Sequence, residues 1–379
     1  MRNDFVPVNI PDINQDDVKA VTEAVQSGWI SSSGKYITNF EKNFSNYIGT
    51  TYAAAVSNGT GALDIAVQAI GLEKDDEVIV PGFTIISPIS AIIRSGAKPV
   101  LVDVSLDNYN VEISEIEKLI TDKTKAILIV HLYGLCTDMI ALRKLCDDRN
   151  LVLIEDAAEV HGLVQQGKKI GSFGDISTFS FFANKIITCG EGGMVLTSSR
   201  HLFGRIKEIR NLCFKDDLPR FMHEEIGYNY RMTSMQAALG NSQLNRIDDF
   251  LNHRKELVNI YKTHLAKFSC IQFMPDEFNG IINVNWVFPI LLNETIKLNS
   301  SQLRALLLDK GIDSRSFFCP MNLQPVFSSK GLFQKCYLPN SERLWHKGLY
   351  LPLGNGISYA QVEKSARTLS HILEQHEHY

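Results

Sequence analysis

The stretch KAILIVHLYGLCTDMIALRKLCDDRNLVLIED (125–156) decides the fold. It opens and closes on continuous apolar runs, KAILIVH (125–131) and LVLIED (151–156). Neither run alternates with polar residues, so both read as strands buried on two faces, as in a parallel sheet. Between them Met139–Arg149 carries helical spacing, and the segment reads strand, helix, strand. The same texture extends upstream. AAAV (53–56), EVIV (77–80) and KPVLVD (98–103) are further strands, while ALDIAVQAIGL (62–72), Ile85–Ser95 and Ser114–Ile120 are helical candidates. The alternation predicts an α/β protein with a mostly parallel sheet flanked by helices. After about residue 245 the pattern changes. IDDFLNHRKELVNIYKTHLAKF (247–268) predicts a long amphipathic helix, followed by a strand in NVNWVFPILL (283–292) and a helix in SSQLRALLLDKG (300–311). We divide the chain there into a large α/β domain, 1–246, and a smaller α+β C-terminal domain, 247–379.

Composition excludes several classes. The 379 residues are 45% hydrophobic and 21% charged, values of an ordinary globular chain and not of a disordered or fibrous one. No apolar run reaches the roughly 18–20 residues of a membrane span. The start, MRNDFVPVNIPD, is polar and is not expected to be a signal peptide. A net charge of −4 argues against a nucleic-acid surface. Seven scattered cysteines without a CxxC suggest neither disulfides nor a metal site, and a cytoplasmic location is expected.

In an open parallel sheet, ligands bind beyond the carboxyl ends of the strands. After AAAV comes Ser57-Asn58-Gly59-Thr60-Gly61 and then a helix. That is either a plain helix cap or an anion site built from free N–H groups, suited to one phosphate monoester. After LVLIE comes Asp156, followed by Glu159 and His161. A carboxylate ending a buried strand either caps a helix or partners a buried cation such as a protonated pyridine nitrogen. In FSFFANKIITCGEGGMVLT (179–197), Lys185 stands among Phe182, Ala183, Ile186 and Ile187, ahead of a glycine turn. Poor solvation lowers a lysine pKa and frees the amine for Schiff-base chemistry, unless the side chain reaches the surface. Phosphate site, strand-end acid and buried lysine are the contacts that pyridoxal phosphate (PLP) requires.

At these residues the sequence resembles the DegT/StrS sugar aminotransferases, which have the type I (aspartate aminotransferase) PLP fold. The resemblance is carried by SGWISSSGKYITNFE (27–41), VSNGTGAL (56–63), DEVIVPGFT (76–84), IEDAAEVHG (154–162), GDISTFSFFANKIITCGEGGMV (174–195), GYNYRMT (227–233) and LQPVF (323–327). The lysine segment is most similar to the perosamine-synthase type, which aminates C4 of a GDP-linked 4-keto-6-deoxy sugar. The same chemistry on a dTDP- or UDP-linked sugar, or at C3, is the alternative. The resemblance implies that Lys185 bonds the cofactor, Asp156 pairs with its ring nitrogen, and Gly59, Thr60 and Ser180 bind its phosphate. It further implies that Phe83 stacks on the ring, that Glu159 faces the ring oxygen, and that Asn229 reaches the phosphate of a neighbouring subunit. Trp29, Lys35, Arg231 and Asn322 are candidates for the sugar nucleotide; Asn322 replaces a histidine of many relatives. The implied partners are L-glutamate and a nucleotide-linked keto sugar, in a homodimer with shared sites and with no nucleic acid or membrane. A PLP-binding regulator without turnover and a sugar-nucleotide scaffold without cofactor are the rival readings.

Overall fold

The computed structural model describes residues 5–215 and 217–376. Helices α1 (Gln15–Gln26) and α2 (Lys35–Ile48) lead into strand β1 (Tyr52–Val56) and helix α3 (Gly59–Ala69). Strand β2 (Glu77–Pro81) is followed by helix α4 (Ser87–Ser95), and then by β3 (Lys98–Val102), β4 (Thr124–Val130) and β5 (Val152–Asp156). A short hairpin, β6 (Val164–Gln165) and β7 (Lys168–Lys169), precedes β8 (Ile176–Ser180) and β9 (Gly193–Thr197). The large sheet has the order β1-β9-β8-β5-β4-β2-β3. Pairs from β3 to β8 are parallel, and β9 is antiparallel to both of its neighbours.

The lone reversal has a local cause. Parallel neighbours need a long crossover, usually a helix. Residues 181–192 form a closed turn instead, with Phe181 N–H bonded to Gly192 O at 2.8 Å and Cys189 N–H to Phe181 O at 2.9 Å. The chain therefore returns beside β8 in the opposite sense. Because β9 opposes both β1 and β8, those two strands and β5 all run the same way. Their carboxyl ends, at Val56, Ser180 and Asp156, share one edge of the sheet.

Glu155 pins the loop between β7 and β8 to that sheet. It is fully buried, and its carboxylate accepts N–H bonds from Gly171 at 2.8 Å and Phe173 at 2.7 Å, with Gly174 N–H and His131 Nε2 beside it. Such multiple acceptance is what makes a buried carboxylate tolerable.

Beyond residue 246 the helix Ile247–Leu265 places Ile247 and Phe250 in the core under the large sheet. Its later residues Leu257, Val258, Tyr261 and Leu265 enter a second core around an antiparallel four-stranded sheet. One strand of that sheet, Phe288–Leu292, is shorter than the apolar run 283–292 suggests. Asn285 has φ +51°, a left-handed conformation that a strand cannot continue. Among the described residues, no helix is long and apolar enough to cross a membrane.

Glu155→Ala leaves at least two backbone N–H groups buried without a partner. At about 1–3 kcal/mol for each such group, we expect a loss of several kcal/mol, with Glu155→Gln milder. Chemical denaturation of the two variants beside the parent measures it.

Candidate active site

A cavity of about 700 Å³ opens at the shared strand edge. Gly59, Thr60, Asp156, Glu159, Ser180 and Lys185 all line it, as their positions after strands predict.

One end is built to hold an anion. Asn58 caps α3 by accepting from Gly61 N–H at 2.8 Å, so a helix cap and an available anion site coexist here. The first N–H groups of a helix have no partner within it, and those of Gly59 and Thr60 remain for a ligand. The start of α4 brings Ser87, whose hydroxyl lies 2.9 Å from that of Thr60. The backbone is packed tightly around this end. A Cβ on Gly59 would come 2.8 Å from Ser180 Cβ, and one on Gly193 would come 2.6 Å from Asn58 O. Two helix N-termini and three hydroxyls form a nest for a phosphate.

The other end carries the titratable groups. Lys185 Nζ lies 3.8 Å from Glu159 Oε1 and 4.1 Å from the centre of the Trp286 ring. Its side chain is only 11% exposed. Burial lowers the Lys185 pKa against the raising effects of Glu159 and Asp156. Burial also pushes Glu159 up to about 7, opposed by Lys185 and by the N–H of Tyr133, which donates to Glu159 Oε2 at 3.0 Å. Both shifts point toward a neutral amine beside a neutral acid. Asp156 is likewise raised by burial, opposed by Ala158 N–H, Lys185 and His131. Its Oδ1 accepts from Ala158 N at 3.2 Å. No cation lies within ion-pair distance of it among the described residues.

Two cavity-lining polar atoms, Thr84 Oγ1 and Asn184 Oδ1, are buried without a hydrogen-bond partner. Tyr230, Trp286, Phe318 and Tyr350 supply an aromatic wall. Nest, amine, strand-end acid and unpartnered polar atoms fit PLP: the α3 end would hold its phosphate and Asp156 would face its ring.

The structure corrects one expectation. Phe83 does not reach the cavity. It is 0% exposed and its ring packs edge-on against Tyr133, Phe317 and Phe318. Ile85, two residues on and 50% exposed, lines the cavity instead, because α4 begins only at Ser87. Other candidates lie outside this cavity in the single chain. Asn229 accepts from Arg231 Nε at 3.0 Å, and only its neighbour Tyr230 is in the wall. Arg231 lines a separate 250 Å³ cavity with Ser32, Ser33, Lys207 and Arg210. Trp29 is 59% exposed and covers Gly34, and Lys35 opens α2 with its amine over Tyr36. Asn322 donates to Glu342 Oε1 at 3.0 Å and to Cys336 O at 3.3 Å. Sequence reading missed Thr84, Ile85, Ser87 and Asn184, although the last adjoins the quoted lysine. It also missed Trp286, Phe318 and Tyr350, which no local pattern marks.

Glu159 gives a pH test on the ligand-free chain. Its folded pKa lies above the free value, so its contribution to stability is complete below about pH 4.5 and is lost as pH rises through about 7. Between pH 5 and 8 the parent should lose roughly 2–3 kcal/mol relative to Glu159→Gln, which cannot ionise. Denaturant unfolding of both proteins at the two pH values measures the difference.

Residues 11–370 match the model of the DegT/DnrJ/EryC1/StrS aminotransferase family. The chain is 37% identical to the GDP-perosamine synthase of Vibrio cholerae over 95% of its own length and 97% of the relative's. It is 41% identical to that of Escherichia coli O157:H7, over 94% and 96%. Among solved structures it is similar to Helicobacter pylori PseC, an aminotransferase involved in the biosynthesis of pseudoaminic acid. That match has a TM-score of 0.92 and 26% identity, and covers 98% of this chain and all of the other. With the fold, the cavity and these matches agreeing over almost its whole length, the chain belongs to the DegT/DnrJ/EryC1/StrS aminotransferase family and is a PLP-dependent sugar aminotransferase.

Proposed function

We propose that the protein moves the amino group of L-glutamate to C4 of a GDP-linked 4-keto-6-deoxyhexose, forming a perosamine-type sugar for surface polysaccharide. The observation that carries the amine chemistry is Lys185, held 3.8 Å from Glu159 in the same cavity as the phosphate nest. The choice of sugar nucleotide is supported by the two GDP-perosamine synthase relatives at 37% and 41% identity.

When bound, PLP supplies an electron-poor ring that spreads the negative charge formed at the α-carbon of an amino donor. The remaining work falls to the chain. Gly59, Thr60, Ser87 and Ser180 would hold the phosphate. Asp156 would pair with the ring nitrogen and keep its proton in place, a buried carboxylate meeting the cation it lacks in the chain alone. Lys185 Nζ, whose pKa burial lowers, would take the proton from the donor α-carbon in the first half-reaction and, in the second, would deliver a proton to the acceptor sugar carbon. Glu159 would face the ring oxygen. Tyr230, Trp286, Phe318 and Tyr350 keep water from the reacting carbons.

Incubation with L-glutamate and a panel of GDP-, dTDP- and UDP-4-keto-6-deoxy sugars should give the amino product from the GDP sugar, read by mass spectrometry. Product from the dTDP or UDP sugar alone overturns the nucleotide assignment and leaves the chemistry standing. Lys185→Ala should reduce turnover by orders of magnitude with the fold intact by circular dichroism. Loss of cofactor absorbance on adding glutamate separates an aminotransferase from a regulator that only binds PLP.

We further propose a homodimer in which Asn229 completes the neighbour's phosphate site. Co-expressed Lys185→Ala and Asn229→Ala chains should then regain activity, because one of the two sites in each heterodimer carries neither lesion. If Asn229→Ala is itself inactive, demonstrated heterodimers without recovered activity would place Asn229 in its own chain's site.

A further inference from the structure

Arg254 has no part in the chemistry above, yet it is fully buried within the helix Ile247–Leu265. No carboxylate pairs with it among the described residues. Burial alone lowers its pKa, to about 9, and it stays charged at neutral pH. A guanidinium buried without a counterion is costly, and an apolar side chain of similar volume would stabilise the core better. Its partners show what it holds.

Arg254 Nη1 donates to Trp286 O at 2.6 Å and to Asn285 O at 3.4 Å, and Nε donates to Asn355 Oδ1 at 2.7 Å. Two of these partners continue to the lysine turn. Trp286 Nε1 donates to Asn184 O at 3.0 Å, and Asn355 Nδ2 donates to Ile186 O at 2.7 Å. These are the residues immediately before and after Lys185. The Trp286 ring also lies 4.1 Å from the lysine amine. Arg254 moreover sets the sense of the Asn355 carboxamide. Its N–H demands an oxygen, which leaves the NH₂ facing Ile186.

We propose that Arg254 is a positioning residue for Lys185: it fixes Trp286 and Asn355, and these hold the two peptide groups flanking the lysine. The inference rests on the reading of Lys185 as the reacting amine. The arrangement ties the second core, through its long helix, to the angle at which the amine enters the cavity. A lysine freed from this clamp gains water, and its pKa rises toward the ordinary value.

The test uses the full-length chain freed of cofactor. Acetic anhydride labels amines in their neutral form, and peptide mass spectrometry follows Lys185 across a pH series. In Asn355→Ala and in Trp286→Phe, which keeps a ring but removes the N–H, the labelling midpoint should rise by about one unit. A rise of one unit is about a tenfold slower labelling of Lys185 at any pH below the parent's midpoint. Arg254→Met should shift the midpoint at least as far as Asn355→Ala, because it releases both arms, and the Arg254→Met/Asn355→Ala double variant should go no further than Arg254→Met. Arg254→Lys should restore part of the shift. If Arg254→Met does not fold, the Asn355 and Trp286 variants still decide. An unchanged Lys185 profile in both, with native circular dichroism, overturns the proposal. Borohydride reduction of the holoenzyme separates the two readings. Cofactor fixed on another lysine removes both, whereas cofactor on Lys185 with an unmoved profile removes only this one.

Discussion

The site depends on keeping one amine out of water. In solution a lysine holds its proton at neutral pH, and a protonated amine cannot attack a carbonyl or accept a proton from carbon. Here the lysine turn is sealed below by Phe181, Ile186 and Ile187, all fully buried, and the amine lies over an indole face. The nearest carboxylate could restore the charge. Yet Glu159 sits at 3.8 Å and is itself pushed toward neutrality by the same burial. Desolvation outweighs ion pairing for both partners, which weakens the salt bridge between them.

The sheet makes that arrangement usable. Because β1, β5 and β8 run in one direction, the anion nest, the strand-end acid and the turn bearing Lys185 meet at one edge. A ligand that spans phosphate to amine is thereby gripped at both ends by rigid backbone. The close approach of β9 to the start of α3 needs glycine at 193, since any side chain there would meet Asn58 O. Antiparallel pairing of β9 thus does more than end the sheet. It fixes the height of the α3 N-terminus against Ser180.

The residues beyond 246 add what the sheet alone cannot. Trp286 and Tyr350 close the cavity from beyond residue 265, and Arg254 and Asn355 reach back to the lysine turn. Both rings pack in the same core as the lysine turn, so residues distant in the chain seal the amine within one packed unit.

The sequence alone determined most of the elements and pointed to the candidate groups of the site. Short uninterrupted apolar runs bounded by polar residues or proline read as strands buried on both faces, and Gly59, Asp156, Ser180 and Lys185 follow or end such runs, so their edge of the sheet was legible from order alone. Tertiary structure decided the rest. Phe83 and Ile85 are both apolar and two residues apart, and only the aromatic cluster of Tyr133, Phe317 and Phe318 determines which is buried and which faces the cavity. Trp286, Phe318 and Tyr350 look like ordinary core residues in sequence, because nothing local says which cavity a ring will line. Arg254 in an amphipathic helix reads as solvent-facing, and its burial becomes intelligible only when the carbonyls of 285 and 286 and the carboxamide of Asn355 converge on it. Local pattern encodes periodicity and strand ends; the direction of a side chain across more than a hundred residues is fixed by packing.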